Sequence, residues 1–210
     1  MTYLNILWHF HQPFYMTPES NRIDSATITF RVLYNYYPMA LMIKNSGMKL
    51  SCNFTPPLII QIKKIAKNQI IDGFQALLQN ENSLDLEKIA IFLEDLPAKI
   101  KVRYTIFKKL IDKFYSKDIS GSEISDLKMW MHLACIHPYV LKYFPEIDQL
   151  CEKSVGFTSK DRQVLIDFER NVFSQVISLY RELLESGSIE ISTTPGYHPI
   201  MPLVYDLSIA

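Results

Sequence analysis

The apolar residues Tyr3, Leu4, Ile6 and Leu7 open the chain as a run of the length of one buried strand, and Pro13 then prevents a sheet ladder from continuing. Between them lies WHFHQPF (8–14), so a tryptophan, two histidines and a glutamine gather where the strand stops. After a polar loop over 18–24, Phe30, Leu33, Tyr34 and Tyr37 recur at helical spacing, Pro38 starts a second short helix, and Gly47 ends it. MKLSCNF (48–54) reads as a second buried strand. Thr55 is the N-cap of the next helix, Pro56 its first residue, and Leu58, Ile59, Ile62 and Ile65 its apolar face. Strand, helices, strand, helix is the grammar of a parallel α/β sheet.

From about residue 72 to 186 the period is helical only. Ile100, Tyr104, Phe107, Ile111 and Phe114 fall at steps of four, three, four and three, the stripe of one amphipathic helix. A longer helix follows Thr158, with Thr158 as cap, Asp161 at the capping-box position, Leu165, Phe168, Val172, Val176, Leu179 and Leu183 as its core stripe, and Gly187 as the stop. A third strand, SIEIST, then runs into TPGYHPIMPL. The expectation is three parallel strands near 3–8, 49–54 and 189–194 in one sheet, with a large helical insertion between the second and third. The first and third end in the same chemistry, WHFHQP and GYHPIMP. Ligands bind at the carboxyl ends of strands in such folds, so these two stretches are expected to face one cleft.

Charge narrows the partners. With 22 basic and 22 acidic residues the chain has no net field to attract nucleic acid or an anionic membrane. No apolar run of 18 residues and no signal-peptide pattern occurs, which reads as a cytoplasmic protein without a membrane partner. Cys52, Cys135 and Cys151 have no C-x-x-C spacing and read as reduced, structural thiols. The 12 Tyr and 12 Phe admit two readings, core packing or the stacking platforms of a sugar-binding cleft.

At this point the chain resembles glycoside hydrolase family 57. LWHFHQPF (7–14) is similar to the family's first conserved region, with its H-Q-P triplet; KLSCNFTPPLIIQI (49–62) to its second strand and N-[LF]-T-P-x-L turn; IEISTTPGYHPIMPL (189–203) to its second conserved region. The 134–161 stretch is family-like in order and spacing. Gly196 stands where the family often has tyrosine, and Phe54 where leucine is usual, which leaves Tyr197 to supply the aromatic face. The resemblance implies the N-terminal part of an incomplete (β/α)7 barrel, residues 1–210 being a truncated portion of the catalytic domain. It implies an α-glucan or oligosaccharide substrate, hydrolysed, transferred or branched without a cofactor or metal. His11, Gln12 and His198 would line the sugar subsites, with Trp8 and Tyr197 covering apolar sugar faces.

The family's catalytic glutamate and aspartate would lie beyond Ala210, and retaining hydrolysis needs two carboxylates about 5 Å apart. Glu190 sits inside the third strand and reads as a bridged structural carboxylate; Asp206 reads as a solvated or capping residue, and Glu19 and Asp24 as surface residues. Two classes stay open: the first piece of an active glycosidase, completed by a second polypeptide, or a non-catalytic carbohydrate-binding remnant. A third reading takes His9 and His11 as the H-x-H metal pair of an amidohydrolase- or deacetylase-like barrel, since alternate strand residues point the same way. His132 and His137, in the helical region, give it little support, and a structural hydrogen bond is the simpler reading of His9.

Overall fold

A computed structural model describes residues 4–16, 21–80, 85–197, 199–206 and 208, with backbone alone at 202 and 204. The chain begins with β1 (Leu7–Phe10), β2 (Arg22–Ile23), α1 (Thr27–Arg31), a π-helical segment (Val32–Tyr36), α2 (Tyr37–Ser46), β3 (Leu50–Phe54) and α3 (Pro56–Ala66). It continues through β4 (Ile71–Asp72), α4 (Gly73–Gln79), α5 (Leu86–Asp95), α6 (Ala98–Lys101), α7 (Thr105–Tyr115) and α8 (Gly121–Leu133). Then come α9 (Pro138–Leu141), α10 (Pro145–Lys153), α11 (Ser159–Glu185), β5 (Ile189–Thr193) and α12 (Met201–Tyr205).

The three expected strands lie side by side in one parallel sheet of order β1-β3-β5. The first begins later than its apolar run suggests. Leu4 is 86 % and Leu7 61 % exposed, whereas Phe10 is 2 % exposed. The covered face carries Phe10, Cys52 and Phe54: the Phe10 ring lies 4.5 Å from that of Phe54 and packs against Tyr36 and Tyr180 from the helices. Alternation turns Leu7 and His9 to the opposite face, which no helix covers among the described residues. Tyr3 lies outside the described residues.

Residues 27–46 form one helical run rather than two helices. Pro38 has no N–H to give, and the turn before it widens: Tyr37 N–H reaches back five residues to the Val32 carbonyl. The Leu33 carbonyl, which Pro38 would have served in that wider register, accepts from His137 N–H instead (3.3 Å). Gly47 closes the run at φ 68°, a left-handed stop that suits glycine.

The stripe from Ile100 to Phe114 is not one helix. It breaks at Tyr104, which has extended backbone (φ −113°, ψ 126°) and precedes α7, while Ile100 belongs to α6. Apolar spacing carried through the break because both pieces face the same core. The 27-residue α11 agrees with its reading: Thr158 and Asp161 form a capping box, all six stripe residues are buried, and Gly187 follows at φ 69°. Its buried stripe packs against α2, α3 and the π segment, behind the sheet. The three cysteines are unpaired, and burial pushes the thiols of Cys52 and Cys151 up to about 11, so they are poor nucleophiles.

A second, two-stranded parallel sheet pairs β2 with β4, Arg22 opposite Ile71 and Ile23 opposite Asp72. Strands of two residues have no period to read, so this sheet has no signal in the sequence. It buries Asp72, whose Oδ1 accepts from the N–H groups of Phe74 and Gln75 (2.9 and 3.1 Å) and whose Oδ2 accepts from Thr29 Oγ1 (2.7 Å). Burial outweighs these hydrogen bonds and pushes the carboxyl from 3.8 up to about 6. A raised folded-state value contributes stability below the unfolded value that is lost as pH rises through the folded one. Asp72→Asn keeps an N-capping side chain but cannot titrate. Relative to wild type it is expected to gain about 2–3 kcal/mol between pH 4 and pH 7.5 in urea unfolding. A difference that stays flat across that range would contradict the assignment.

Candidate functional site

At the carboxyl ends of the sheet, one polar row crosses all three strands. His9, Asn53 and Ser192 are opposite one another in register. His9 Nδ1 lies 2.7 Å from Asn53 Oδ1, and Asn53 Nδ2 donates to Ser192 Oγ at 2.8 Å. Two threonine hydroxyls tie the strand ends just above: Thr55 Oγ1 donates to the Phe10 carbonyl (3.3 Å), and Thr193 Oγ1 to that of Phe54 (2.9 Å). Thr55 thus occupies the N-cap of α3 without capping it through its side chain. Pro57 leaves no N–H at the second helical position, one of the two that an N-cap side chain serves, and the hydroxyl is used across the sheet.

His11 continues the same face, its ring 5.8 Å from that of His9 and within 9° of parallel. Two open hollows meet at His11. One, of about 280 Å³, lies between β1 and the 31–39 helical stretch and is lined by Trp8, His11, Gln12, Arg31, Asn35 and Tyr36. The other, of about 850 Å³, is lined by His11, Phe14, Met16, Pro57, Tyr197 and Ile200. Trp8, His11, Gln12 and Tyr197 are therefore brought to neighbouring hollows around one histidine. His198 lies outside the described residues. Tyr197 is 80 % exposed, has φ 62°, and its ring meets that of Phe14 edge-on at 6.2 Å.

Gln12 is held from both ends. Its Nε2 donates to the Tyr36 hydroxyl (3.2 Å) and its Oε1 accepts from the Tyr15 hydroxyl (2.8 Å). Gln61, fully buried in α3, fixes the same loop: Nε2 donates to the Pro13 carbonyl (2.9 Å) and Oε1 accepts from Tyr15 N–H (2.8 Å). The sequence reading passes over Gln61 and Ser192 and meets Asn53 only as the first residue of the N-[LF]-T-P-x-L turn. Their signal is a polar residue at a position that periodicity assigns to a buried helix face or a buried strand.

Neither tempting carboxylate stands at the strand ends. Glu190 lies opposite Ser51, is exposed, and makes no ion pair among the described residues, so it is not a bridged structural carboxylate. The face it occupies is the uncovered one, and water solvates it there. Asp206 accepts at Oδ1 from the N–H and hydroxyl of Ser208, which holds its carboxyl below the usual range. Asp24 pairs with Arg22, and Glu19 lies outside the described residues. The His9 and His11 rings are parallel, and no group of three metal-ligating side chains forms among the described residues. His132 is buried against Glu169, and His137 Nδ1 accepts from Tyr139 N–H.

A parallel α/β sheet with polar side chains concentrated at its carboxyl edge is a ligand-binding architecture. The family model for glycosyl hydrolase family 57 matches residues 5–209, and the chain belongs to that family. No curated protein and no solved structure matches it significantly. Among the described residues no helix is long and apolar enough to cross a membrane.

Proposed function

We propose that residues 1–210 are the N-terminal portion of a (β/α)7-barrel catalytic domain that hydrolyses or transfers α-glucan in the cytoplasm. On this reading the helices between β3 and β5 are an insertion in the barrel, and His11, Gln12, Trp8, Tyr197 and His198 bind oligosaccharide. The observation that carries it is the meeting of an imidazole, an indole, a phenol and an amide around His11 at the strand ends. Imidazole exchanges hydrogen bonds with sugar hydroxyls, and aromatic rings cover apolar sugar faces. The positions ending the three strands, His9 to Pro13, Asn53 to Thr55 and Ser192 to Thr194, include no carboxylate. The catalytic pair is accordingly supplied from outside these residues.

A second observation favours completion by a further segment or a second polypeptide. The helix-side face of β5 is open, and a hollow of about 440 Å³ runs along it, lined by Phe54, Ile60, Tyr180, Leu184, Ile191 and Thr193. An apolar face beside a strand edge that is unpaired among the described residues calls for another element of structure. Expressed alone, the 210-residue chain is expected to oligomerise on size-exclusion chromatography and to release no reducing sugar from amylose. In calorimetric titration, maltoheptaose is expected to bind weakly, and His11→Ala to lower its affinity about fivefold to tenfold. Turnover by the chain alone would return Glu190 to the site, and wild-type protein that binds no maltoheptaose would end the saccharide reading.

A further inference from the structure

The hollow between β1 and the 31–39 helical stretch is lined by one permanently charged side chain. We propose that Arg31, with Asn35 beside it, is an anion subsite that selects a saccharide bearing a negatively charged substituent, a uronate carboxylate or a phosphate ester. This rests on the saccharide reading above and names the substituent that the site prefers.

Arg31 is the last residue of α1, and Asn35 follows within the π segment. Both line the hollow together with Trp8 and Gln12, so an apolar sugar face and a charged substituent are met side by side. Among the described residues no carboxylate lines this hollow or the larger one that meets it at His11. The half-buried guanidinium is also short of partners. Its Nη1 donates to Asn35 Oδ1 at 3.3 Å, a long bond, and its Cζ lies 5.4 Å from the centre of the Phe30 ring. Nε is buried with no hydrogen-bond partner, and no carboxylate pairs with Arg31 among the described residues. That leaves Nη2 and the second Nη1 hydrogen for a partner from outside these residues.

Arg103 is the contrasting case of an arginine that the fold itself saturates. Its Nη1 donates to the Ile136 carbonyl at 2.8 Å and its Nη2 to the Tyr104 hydroxyl at 3.1 Å, so both arms of the fork are taken up. Arg31 has no such set. A guanidinium held partly out of water gains most from an ionised acceptor, because charge-assisted bonds are roughly twice as strong as neutral ones. Its planar fork also matches the paired oxygens of a carboxylate or phosphate. A neutral hydroxyl offers one oxygen and no charge.

The test is calorimetric titration of the full chain against maltoheptaose, maltoheptaose oxidised at one C6 to a glucuronate, and maltoheptaose 6-phosphate. Wild-type protein is expected to bind at least one charged ligand about tenfold tighter than the neutral one, and the favoured ligand identifies the source of the anion. Arg31→Gln, with folding checked by circular dichroism, is expected to abolish that preference. Arg31→Lys, which keeps the charge without the fork, is expected to retain part of it. Equal affinities for charged and neutral ligands in the wild type, or a preference undiminished in Arg31→Gln, overturns the proposal. The wild-type comparison decides even where the glutamine variant fails to fold. Wild type that binds maltoheptaose without preferring either charged ligand removes the anion subsite and leaves the α-glucan reading standing. Wild type that binds none of the three ends both.

Discussion

Glu169→Ala is expected to destabilise the protein by about 3–5 kcal/mol, the usual cost of removing one member of a buried ionisable pair. Glu169 in α11 and His132 in α8 are both fully buried, with Oε1 2.7 Å from Nδ1. The His132 ring is stacked on Phe74 at 3.9 Å and 10° interplanar angle, so it cannot swing out to water when its partner is lost. Its Nε2 already has no hydrogen-bond partner among the described residues, and alanine at 169 would leave Nδ1 in the same condition. Glu169→Gln, which retains an acceptor, should lose only about 0.5–1.5 kcal/mol. The check is urea unfolding at one fixed protein concentration, since assembly adds a concentration-dependent term. Equal losses for the two variants would show that packing, not the missing acceptor, sets the cost.

Trp130→Ala should lower stability by a comparable amount, about 3–5 kcal/mol, through the cavity it leaves. Trp130 in α8 is buried, with the Tyr104 ring at 4.8 Å and the Phe157 ring at 6.5 Å. Its indole N–H also donates to the Ser154 carbonyl at 2.6 Å. Ser154 sits at φ 68°, ψ −44°, a positive-φ conformation that serine adopts at a cost, and the indole bond helps hold it. Trp130→Phe keeps most of the volume and removes that donor, so a loss of about 1–3 kcal/mol is expected by circular dichroism melting. A Phe variant as stable as wild type would assign the whole effect to volume.

The elements that carried a period were legible in the sequence. α11 announced its cap, its stripe and its stop, because a long helix repeats one face many times and each repeat restates the pattern. β3 and β5 were read within a residue of their ends for a related reason: each is bounded by residues with strong local rules, Thr55 and Pro56 after β3, Gly187 before β5. β1 slipped, because its apolar run and its strand residues overlap only at Leu7. Apolar composition reports what could be buried, while pairing is decided by the partner strand, and Leu7 pairs with Ser51 on an uncovered face. At the site, the aromatic and imidazole residues stood out by type, whereas Asn53, Ser192 and Gln61 did not. Their role comes from register and from the fold bringing distant residues to hydrogen-bonding range, which no local pattern encodes.

The open edges of the sheet have a consequence for symmetry. Among the described residues β1 and β5 are each paired on one side only, and all three strands run the same way. Two copies related by a two-fold axis can join β5 to β5 only with the strands antiparallel, and that closes as a dimer. Joining β5 of one copy to β1 of the next keeps every strand parallel, but it is a head-to-tail contact that does not satisfy itself. Such a contact repeats until geometry closes it into a ring or leaves it as a fibre. Whether assembled chains stop at two or grow without limit therefore reports which edge met which.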